Sequence, residues 1–398
     1  MSSIRAAQSA PRIAIVSDTM VQSGGAERVV EAIAEAFPLA PVFTLLYDPE
    51  RGPRSIEKRI TQSWLHRVPG ALKFAKALVP FYPNAVESFD LRGYDLVVSS
   101  ESGPAKGVIV SSSTRHVCYC HTPPRYLWDL YPAYRNDWTA SRWKRAAMTP
   151  LTHYLRLWDY ASAARVDDFI ANSRNVQNRI RKTYRRESEV VYPPVEVDSF
   201  YWKPPDDYFL IVSGLVPYKR IDSAVRAFTR SGRRLIIAGA GPEYRRLKAA
   251  AGANITLLGH VNDEDLRGLY ARCRALVLPG EEDFGLTPVE ALASGKPVIA
   301  LGRGGALETV PAFGGVLYES ASDECLEAAV ERFEGMEPHF RPSALQAYAR
   351  RFSPAEFASQ MAPILETERT GDRNRSPVLP PHQNAALSTA GYSGSENR

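Results

Sequence analysis

The sequence predicts an α/β fold with two Rossmann-like domains, and three observations support this prediction. The 398 residues suffice for about two domains, and 44% of them are hydrophobic and 23% charged, as in ordinary globular proteins. Short apolar runs alternate with segments of helical periodicity, which is typical of a parallel sheet covered by helices. This alternation occurs in residues 12–200 and again in residues 207–350. We therefore expect a hinge at residues 200–207.

The first domain should begin after a disordered start, residues 1–11. Its first strand, Arg12–Ser17, leads through Gly24 and Gly25 into an amphipathic helix. The two glycines allow close approach of the backbone to a ligand, but they do not form a Gly-x-Gly-x-x-Gly fingerprint, which argues against a dinucleotide site. Further strands are predicted at residues 42–47, 96–99, 116–120 and 168–171.

The second domain repeats the alternation and is followed by a helix and a polar tail. The helix is predicted at residues 354–366, and residues 367–398 have the polar composition of a disordered segment. The strands of this domain are predicted at residues 208–213, 235–238, 255–258, 275–278, 298–300 and 316–318.

The loop after the predicted strand 275–278 should present free amide groups. Thr287 is a suitable helix N-cap, Pro288 suits the first helical position, and Glu290 would complete a capping box. Gly295 should end this helix. An anion is favoured at such a helix start, at the carboxyl end of a parallel strand.

Seven residues lie between Glu282 and Glu290 across this loop. Taken alone, Glu290 would only cap its helix and Glu282 would be solvated. Together with Phe-Gly-Leu-Thr-Pro and Ala-Ser-Gly-Lys-Pro-Val-Ile, however, they resemble the signature of glycosyltransferase family 4, the group-1 glycosyl transferases. The resemblance implies the GT-B architecture, in which two Rossmann-like domains face each other across a cleft and the helix at 354–366 crosses back to the first domain. It also implies that Glu282 contacts the donor sugar and that Glu290 holds the ribose hydroxyls.

A second loop, Ser213 to Asp222, resembles the phosphate-binding loop of the same family. The resemblance implies that Lys219 contacts the donor phosphate. The family usually has an arginine where this chain has Gly214. Our hypothesis is that Arg220 supplies the missing charge from the neighbouring turn.

The remaining site residues are also implied by the resemblance. His121 follows a predicted strand; a lone histidine there is more often structural, but the family places a histidine facing the donor sugar. The expected catalytic residues are Glu282, Lys219 and His121. The expected donor-binding residues are Gly24, Gly25, Lys219, Arg220, His260, Val261, Glu282, Phe284, Gly285, Leu286, Thr287 and Glu290.

The resemblance implies retaining transfer of a sugar without a metal or other cofactor. Asp263-Glu264-Asp265 could suggest a metal site, but acidic residues are also favoured in the first turn of a helix, and we interpret them so. The motifs His-Thr-Pro-Pro-Arg-Tyr-Leu-Trp and Val-Pro-Tyr-Lys-Arg-Ile-Asp look most like those of bacterial mannosyltransferases of surface-polysaccharide assembly, which implies GDP-mannose. A UDP-sugar donor and a non-catalytic GT-B partner protein are the alternatives.

The basic residues are concentrated in residues 51–80 and 121–165, among aromatic residues. Such segments suit an anionic membrane surface or a polyprenyl-diphosphate-linked glycan acceptor; a solvated face over an aromatic core is the alternative. No nucleic-acid-binding motif accompanies the charge. Because the sequence has neither a bilayer-spanning apolar run nor the apolar block of a signal peptide, we expect a cytoplasmic protein, with peripheral binding to the inner membrane face as a hypothesis. The cysteines lack zinc-ligand spacing.

Overall fold

The computed structural model describes residues 11–22, 24–132, 135 and 142–366. The predicted disordered tail, residues 367–398, lies outside these residues, as do residues 1–10 of the predicted disordered start. The described residues up to Leu365 form one compact unit.

The first sheet consists of parallel strands whose central members are buried on both faces. The order is β3-β2-β1-β4-β5-β6-β7, so the order reverses between β1 and β4. This sheet contains β1 (Ile13–Ser17), β2 (Val42–Thr44), β3 (Ile60–Gln62), β4 (Leu96–Glu101), β5 (Arg115–Cys120), β6 (Asp168–Ala171) and β7 (Ser188–Val190). Its connecting helices are α1 (Gly25–Ala36), α2 (Tyr82–Glu87), α3 (Arg142–Ser162) and α4 (Arg174–Tyr184).

The second sheet repeats this design with parallel strands in the order β10-β9-β8-β11-β12-β13. Its strands are β8 (Phe209–Val212), β9 (Leu235–Ala238), β10 (Ile255–Gly259), β11 (Leu276–Leu278), β12 (Val298–Leu301) and β13 (Gly315–Tyr318). The helices that accompany it are α5 (Ile221–Ser231), α6 (Tyr244–Ala250), α7 (Asp263–Arg272), α8 (Leu286–Ala293), α9 (Ala306–Thr309), α10 (Asp323–Met336) and α11 (Pro342–Ala349).

The predicted fold class is confirmed, including the helix that returns to the first domain. That helix, α12 (Pro354–Glu366), buries Phe357, Met361 and Leu365 in the core of the first sheet. Arg115 on β5 also donates to the carbonyl of Ile364, at 2.7 Å. The chain therefore forms two Rossmann-like sheets, and its last described helix packs on the first sheet, which is the GT-B arrangement.

Every predicted strand is present, but β3 and β7 were missed. Both are three-residue edge strands, Ile60–Gln62 and Ser188–Val190, and none of their residues is fully buried. Edge strands need no continuous apolar run, so these two lack the signal that revealed the central strands.

Candidate functional site

A cavity of about 280 Å³ lies where the carboxyl ends of the two sheets meet. In open parallel sheets this end, beside the reversal of strand order, is where ligands bind. The first domain contributes Gly25, Ala26, His121, Asn172 and Pro193 to the wall, and the second contributes Val212, Ser213, Gly214, Lys219, Glu282, Asp283, Phe284, Gly285, Leu286 and Thr287.

Two glycines allow the walls to come this close. An added Cβ at Gly25 would lie 2.4 Å from Cδ1 of Leu286 on the opposite domain. Gly285 has a φ of +89°, in the left-handed region, and forms the N-cap of α8. A side chain at either position would obstruct the approach or strain the loop.

The predicted capping box at the start of α8 is wrong. The helix begins at Leu286 after the left-handed Gly285, so Thr287 lies inside its first turn and no side chain caps it. The amides of this first turn have no intrahelical partner because of their position, and they lie at the cavity wall. The helix ends as predicted, with Gly295 in a left-handed conformation just beyond it.

Glu290 points away from the cavity wall toward two other partners. Its Oε1 accepts from Nη1 of Arg28 on α1, at 2.9 Å, and its Oε2 accepts from the hydroxyl of Tyr270 on α7, at 2.8 Å. Burial lowers the pKa of Arg28, but Glu290, Asp263 and Tyr270 together raise it by more, so the net shift is upward. In this structure Glu290 therefore joins the two domains.

Lys219 and Glu282 form an ion pair within the cavity. Their side chains are 17% and 16% exposed, so the pair is largely shielded from solvent. Burial lowers the pKa of Lys219, but Glu282, Tyr218 and Asp283 together raise it by more, so the net shift is upward. The lysine is thus charged at physiological pH.

His121 faces this pair from the first domain. Its Nε2 lies 2.9 Å from Oγ of Ser100, and burial lowers the pKa of the ring to about 4. The imidazole is therefore neutral at physiological pH. It can contribute a hydrogen bond to a ligand but not a positive charge.

Gly214 lines the cavity, whereas Arg220 does not. A Cβ built on Gly214 meets no atom within 4 Å, so this part of the wall opens onto free space. Arg220 has a φ of +54° between a 3₁₀ turn and α5, and its Nη2 donates to the carbonyl of Ala321, at 2.5 Å. Contrary to our expectation, this backbone conformation directs the guanidinium elsewhere.

Three further expected donor-binding residues also lie outside the cavity. His260 and Val261 line a separate cavity of about 520 Å³ beside α7. Gly24 precedes α1, and its amide donates to Oε2 of Glu27 in the first turn, at 3.0 Å.

Phe284 reaches the cavity wall, but its ring is part of the core. The side chain is only 3% exposed, with ring centroids 5.5 Å from Tyr192 and 5.6 Å from Phe352. This packing anchors the loop that carries Glu282. The side chain itself is unavailable to a ligand.

The acidic residues Asp263, Glu264 and Asp265 lie in the first turn of α7, as interpreted from the sequence. Asn262 is the N-cap, and its side chain accepts from the amide of Asp265. Among the described residues, no group of three or more His, Cys, Asp or Glu side chains is arranged to hold a metal ion.

Two family models match adjoining parts of the chain. Residues 23–199 match Glycosyltransferase Family 4, and residues 197–352 match Glycosyl transferases group 1. The matches meet near the expected hinge and leave no gap between them. The chain belongs to the group-1 glycosyl transferases of family 4.

This glycosyl transferase resembles mannosyltransferases in sequence. It is 30% identical to an O-antigen chain mannosyltransferase of Salmonella typhimurium over 200 residues, which is 46% of this chain and 55% of the relative. It is 24% identical to the mouse alpha-1,3/1,6-mannosyltransferase over 85% of this chain and 92% of that one. The chain spans about half the length of the first curated relatives that it matches.

The fold of this glycosyl transferase matches that of solved structures. Anabaena HepE, solved in complex with UDP and glucose, superposes with a TM-score of 0.66 at 20% identity, over 90% of this chain and 100% of that one.

Several charged residues around the cavity of this glycosyl transferase are not predicted by any local sequence pattern. Asp283 lines the wall and pairs with Arg125 and Arg179 of the first domain. Asp283 lies within the signature stretch itself, but nothing in the local pattern identified its partners. Arg28, which pairs with Glu290, was likewise indistinguishable from a surface arginine.

Proposed function

We propose that this protein is a retaining glycosyltransferase that transfers mannose from GDP-mannose to a glycan acceptor in polysaccharide synthesis. One observation carries the proposal: Lys219, Glu282, His121 and the first amides of α8 surround a single cavity between two Rossmann-like domains. Family membership and the mannosyltransferase relatives support the reaction class and the sugar.

The charges around the cavity suit the departure of a diphosphate. Lys219 and the amides near Gly285 would neutralise the leaving group, a role in which fixed charges and dipoles are most effective when water is excluded. Glu282 would release Lys219 and accept from a sugar hydroxyl, which fixes the ring. His121, neutral at physiological pH, would hydrogen-bond to the sugar from the opposite wall.

Retention requires the acceptor to attack from the face that the diphosphate leaves. We propose that a leaving phosphate oxygen accepts the proton of the acceptor hydroxyl, so that no separate general base is needed. We also propose that these groups replace a metal ion, and full activity in excess EDTA is the expected result. The anomeric configuration of the product, read by NMR, tests retention directly.

The donor is tested by binding and by transfer. We expect GDP to raise the melting temperature more than UDP or ADP, and radiolabelled mannose from GDP-mannose to enter a lipid-extractable acceptor. A larger effect of UDP would instead identify the UDP-sugar alternative. GDP binding without transfer to any acceptor would identify a non-catalytic partner protein.

We further propose that the acceptor is linked to polyprenyl diphosphate and that the protein binds the inner membrane face peripherally from the cytoplasm. The surface around residues 72–76 supports this: Leu72 is 44% exposed and Phe74 55% exposed, and exposed Lys73 and Lys76 lie beside them. Exposed apolar and basic side chains together favour an anionic bilayer. None of the helices in the described ranges has the length and apolarity that crossing a bilayer requires.

The second basic stretch supports membrane binding less. Arg165 pairs with Glu87 at 2.7 Å, and Arg156 donates to the carbonyl of Leu127 at 2.8 Å. Both side chains are thus held by contacts within the first domain.

Vesicle sedimentation tests the membrane proposal. The variant Leu72→Ser/Phe74→Ser should lose binding to vesicles of phosphatidylglycerol, and phosphatidylcholine vesicles should bind neither form. Leu39→Ser, at a residue 97% exposed elsewhere on the first domain, is the matched control. Equal sedimentation of the double variant and the control would contradict the proposal.

A further inference from the structure

Arg179 of the first domain holds the loop that carries Glu282 in the second. Its Nη2 lies 2.7 Å from Oε1 of Glu281, and its Nη1 contacts Oδ1 of Asp283. These acidic residues flank Glu282 on both sides. One guanidinium therefore fixes the loop before and after the residue that we assign to the donor sugar.

Residues at the start of α4 also contact this loop and the neighbouring part of the second domain. Oγ of Ser173 donates to the carbonyl of Asp283, at 2.7 Å. Glu308 of the second domain accepts from the amides of Arg174 and Asn175, at 2.8 and 3.0 Å. Because the first amides of a helix lack intrahelical partners and favour an anion, this carboxylate completes α4 from across the cleft.

The loop is also tied to the second domain's own strand end. The amide of Gly305 donates to the carbonyl of Glu282, at 2.9 Å, and Glu282 forms a parallel bridge with Gly304. Residues 281–283 thus lie between their own domain and α4. The contacts of the loop with the first domain exist only while the two domains touch.

The arginine contacts are well shielded. The side chain of Arg179 is 15% exposed, and that of Arg125, whose Nη1 also lies 3.2 Å from Oδ1 of Asp283, is 12% exposed. Ion pairs in such positions are screened less by salt than surface pairs. Within its own domain Arg179 has longer contacts, 3.3 Å to Oγ1 of Thr122 and 3.8 Å to Asp129.

We propose that Arg179 is a positioning residue that couples contact between the domains to the orientation of Glu282. The proposal rests on the function proposed above. When the domains separate, the loop loses Arg179, and Glu282 is no longer set for the sugar. The donor sugar is then aligned only in the closed enzyme, while the nucleotide, held by the second domain, binds in either state.

The test separates sugar transfer from nucleotide binding. Arg179→Met should lower kcat for mannose transfer about tenfold or more, in the range of coupling between contacting charges. The Kd for GDP, measured by calorimetry, should change less than about twofold, a difference within experimental scatter. Arg179→Lys should recover part of the lost kcat. Arg181→Met, on the same helix and paired only with Glu187 in the described contacts, is the matched control.

Two further measurements decide between positioning and a general structural role. Glu281→Gln in the Arg179→Met background should lower kcat little further, because both changes remove the ion pair between Glu281 and Arg179. Amide hydrogen exchange of residues 281–285 should speed up in Arg179→Met and remain unchanged in Arg181→Met. Full kcat in Arg179→Met, a parallel loss of GDP binding, or unchanged exchange would each overturn the proposal.

Failure of the proposed function has a different signature. If the wild-type protein used no nucleotide sugar, the proposed function would be refuted. Amide hydrogen exchange of residues 281–285 would still test whether Arg179 holds this loop in place. If the wild-type enzyme transferred mannose and the Arg179→Met variant were equally active, only the positioning role would be refuted.

Discussion

Replacing Lys219 by alanine removes the cation that we assign to the leaving diphosphate. Deleting one preorganised electrostatic group from an active site typically costs about 2.7–4 kcal/mol, or ~10²–10³-fold in kcat. Lys219 is 17% exposed, so water can partly take its place. We therefore expect the lower end of this range, a loss of at least ~10²-fold in turnover. Glu282→Gln should cost a similar factor through the sugar.

The double variant gives the sharper result. Lys219 and Glu282 pair with each other in the cavity. Removing Lys219 alone therefore leaves a shielded carboxylate without its partner, whereas changing both residues does not. The combined loss in kcat should be smaller than the product of the two single losses.

Steady-state transfer from GDP-mannose measures these effects, and circular dichroism with thermal melting checks that each variant is folded. Lys248→Ala, at an exposed lysine on α6, is the control and should retain wild-type turnover. Near-normal activity of a folded Lys219→Ala/Glu282→Gln variant would refute the assignment of both residues.

Three other properties can be tested independently. Lys106 is fully buried between Glu101 and Asp159, at 3.2 and 2.5 Å. Lys106→Met should lower the free energy of unfolding in urea by about 3–5 kcal/mol, because a buried charge loses its partner. A loss below about 1 kcal/mol would contradict this. Burial lowers the pKa of His121 to about 4, so its neutral ring should contribute stability that is present above pH 6.5 and lost as the pH falls through about 4. NMR titration of the ring should therefore show no transition near pH 6.5. Gly214→Arg should leave the melting temperature unchanged, because a Cβ at this position meets no atom within 4 Å, and it should lower the KM for the donor. A lower melting temperature or a higher KM would show that a guanidinium does not fit in this space.

The sheets and the cavity loops were predictable because their signals are local. The central strands are apolar runs between breakers, and the loop at residues 281–287 carries a dense family signature. The side chains of Lys219, Glu282 and His121 converge because the carboxyl ends of parallel strands share an edge, so alternation alone brought these residues together.

The details around these loops were less predictable. Thr287 looked like an N-cap, but the left-handed Gly285 is the N-cap, two residues earlier. Arg220 follows Lys219 directly, yet its own positive φ turns it toward Ala321. Backbone conformation at single residues depends on the packing of the whole turn, and residue type alone did not determine it.

By itself, the sequence determined two parallel sheets, the family, and the loops that meet at the cleft. Only the tertiary structure decided which charges face one another across it: Arg28 meets Glu290 at a separation of 262 residues, and Arg179 meets Glu281 at a separation of 102. The physical reason is that a strand or a helix start is set by neighbouring residues. An ion pair between domains depends on how two folded surfaces dock, and no local pattern encodes this.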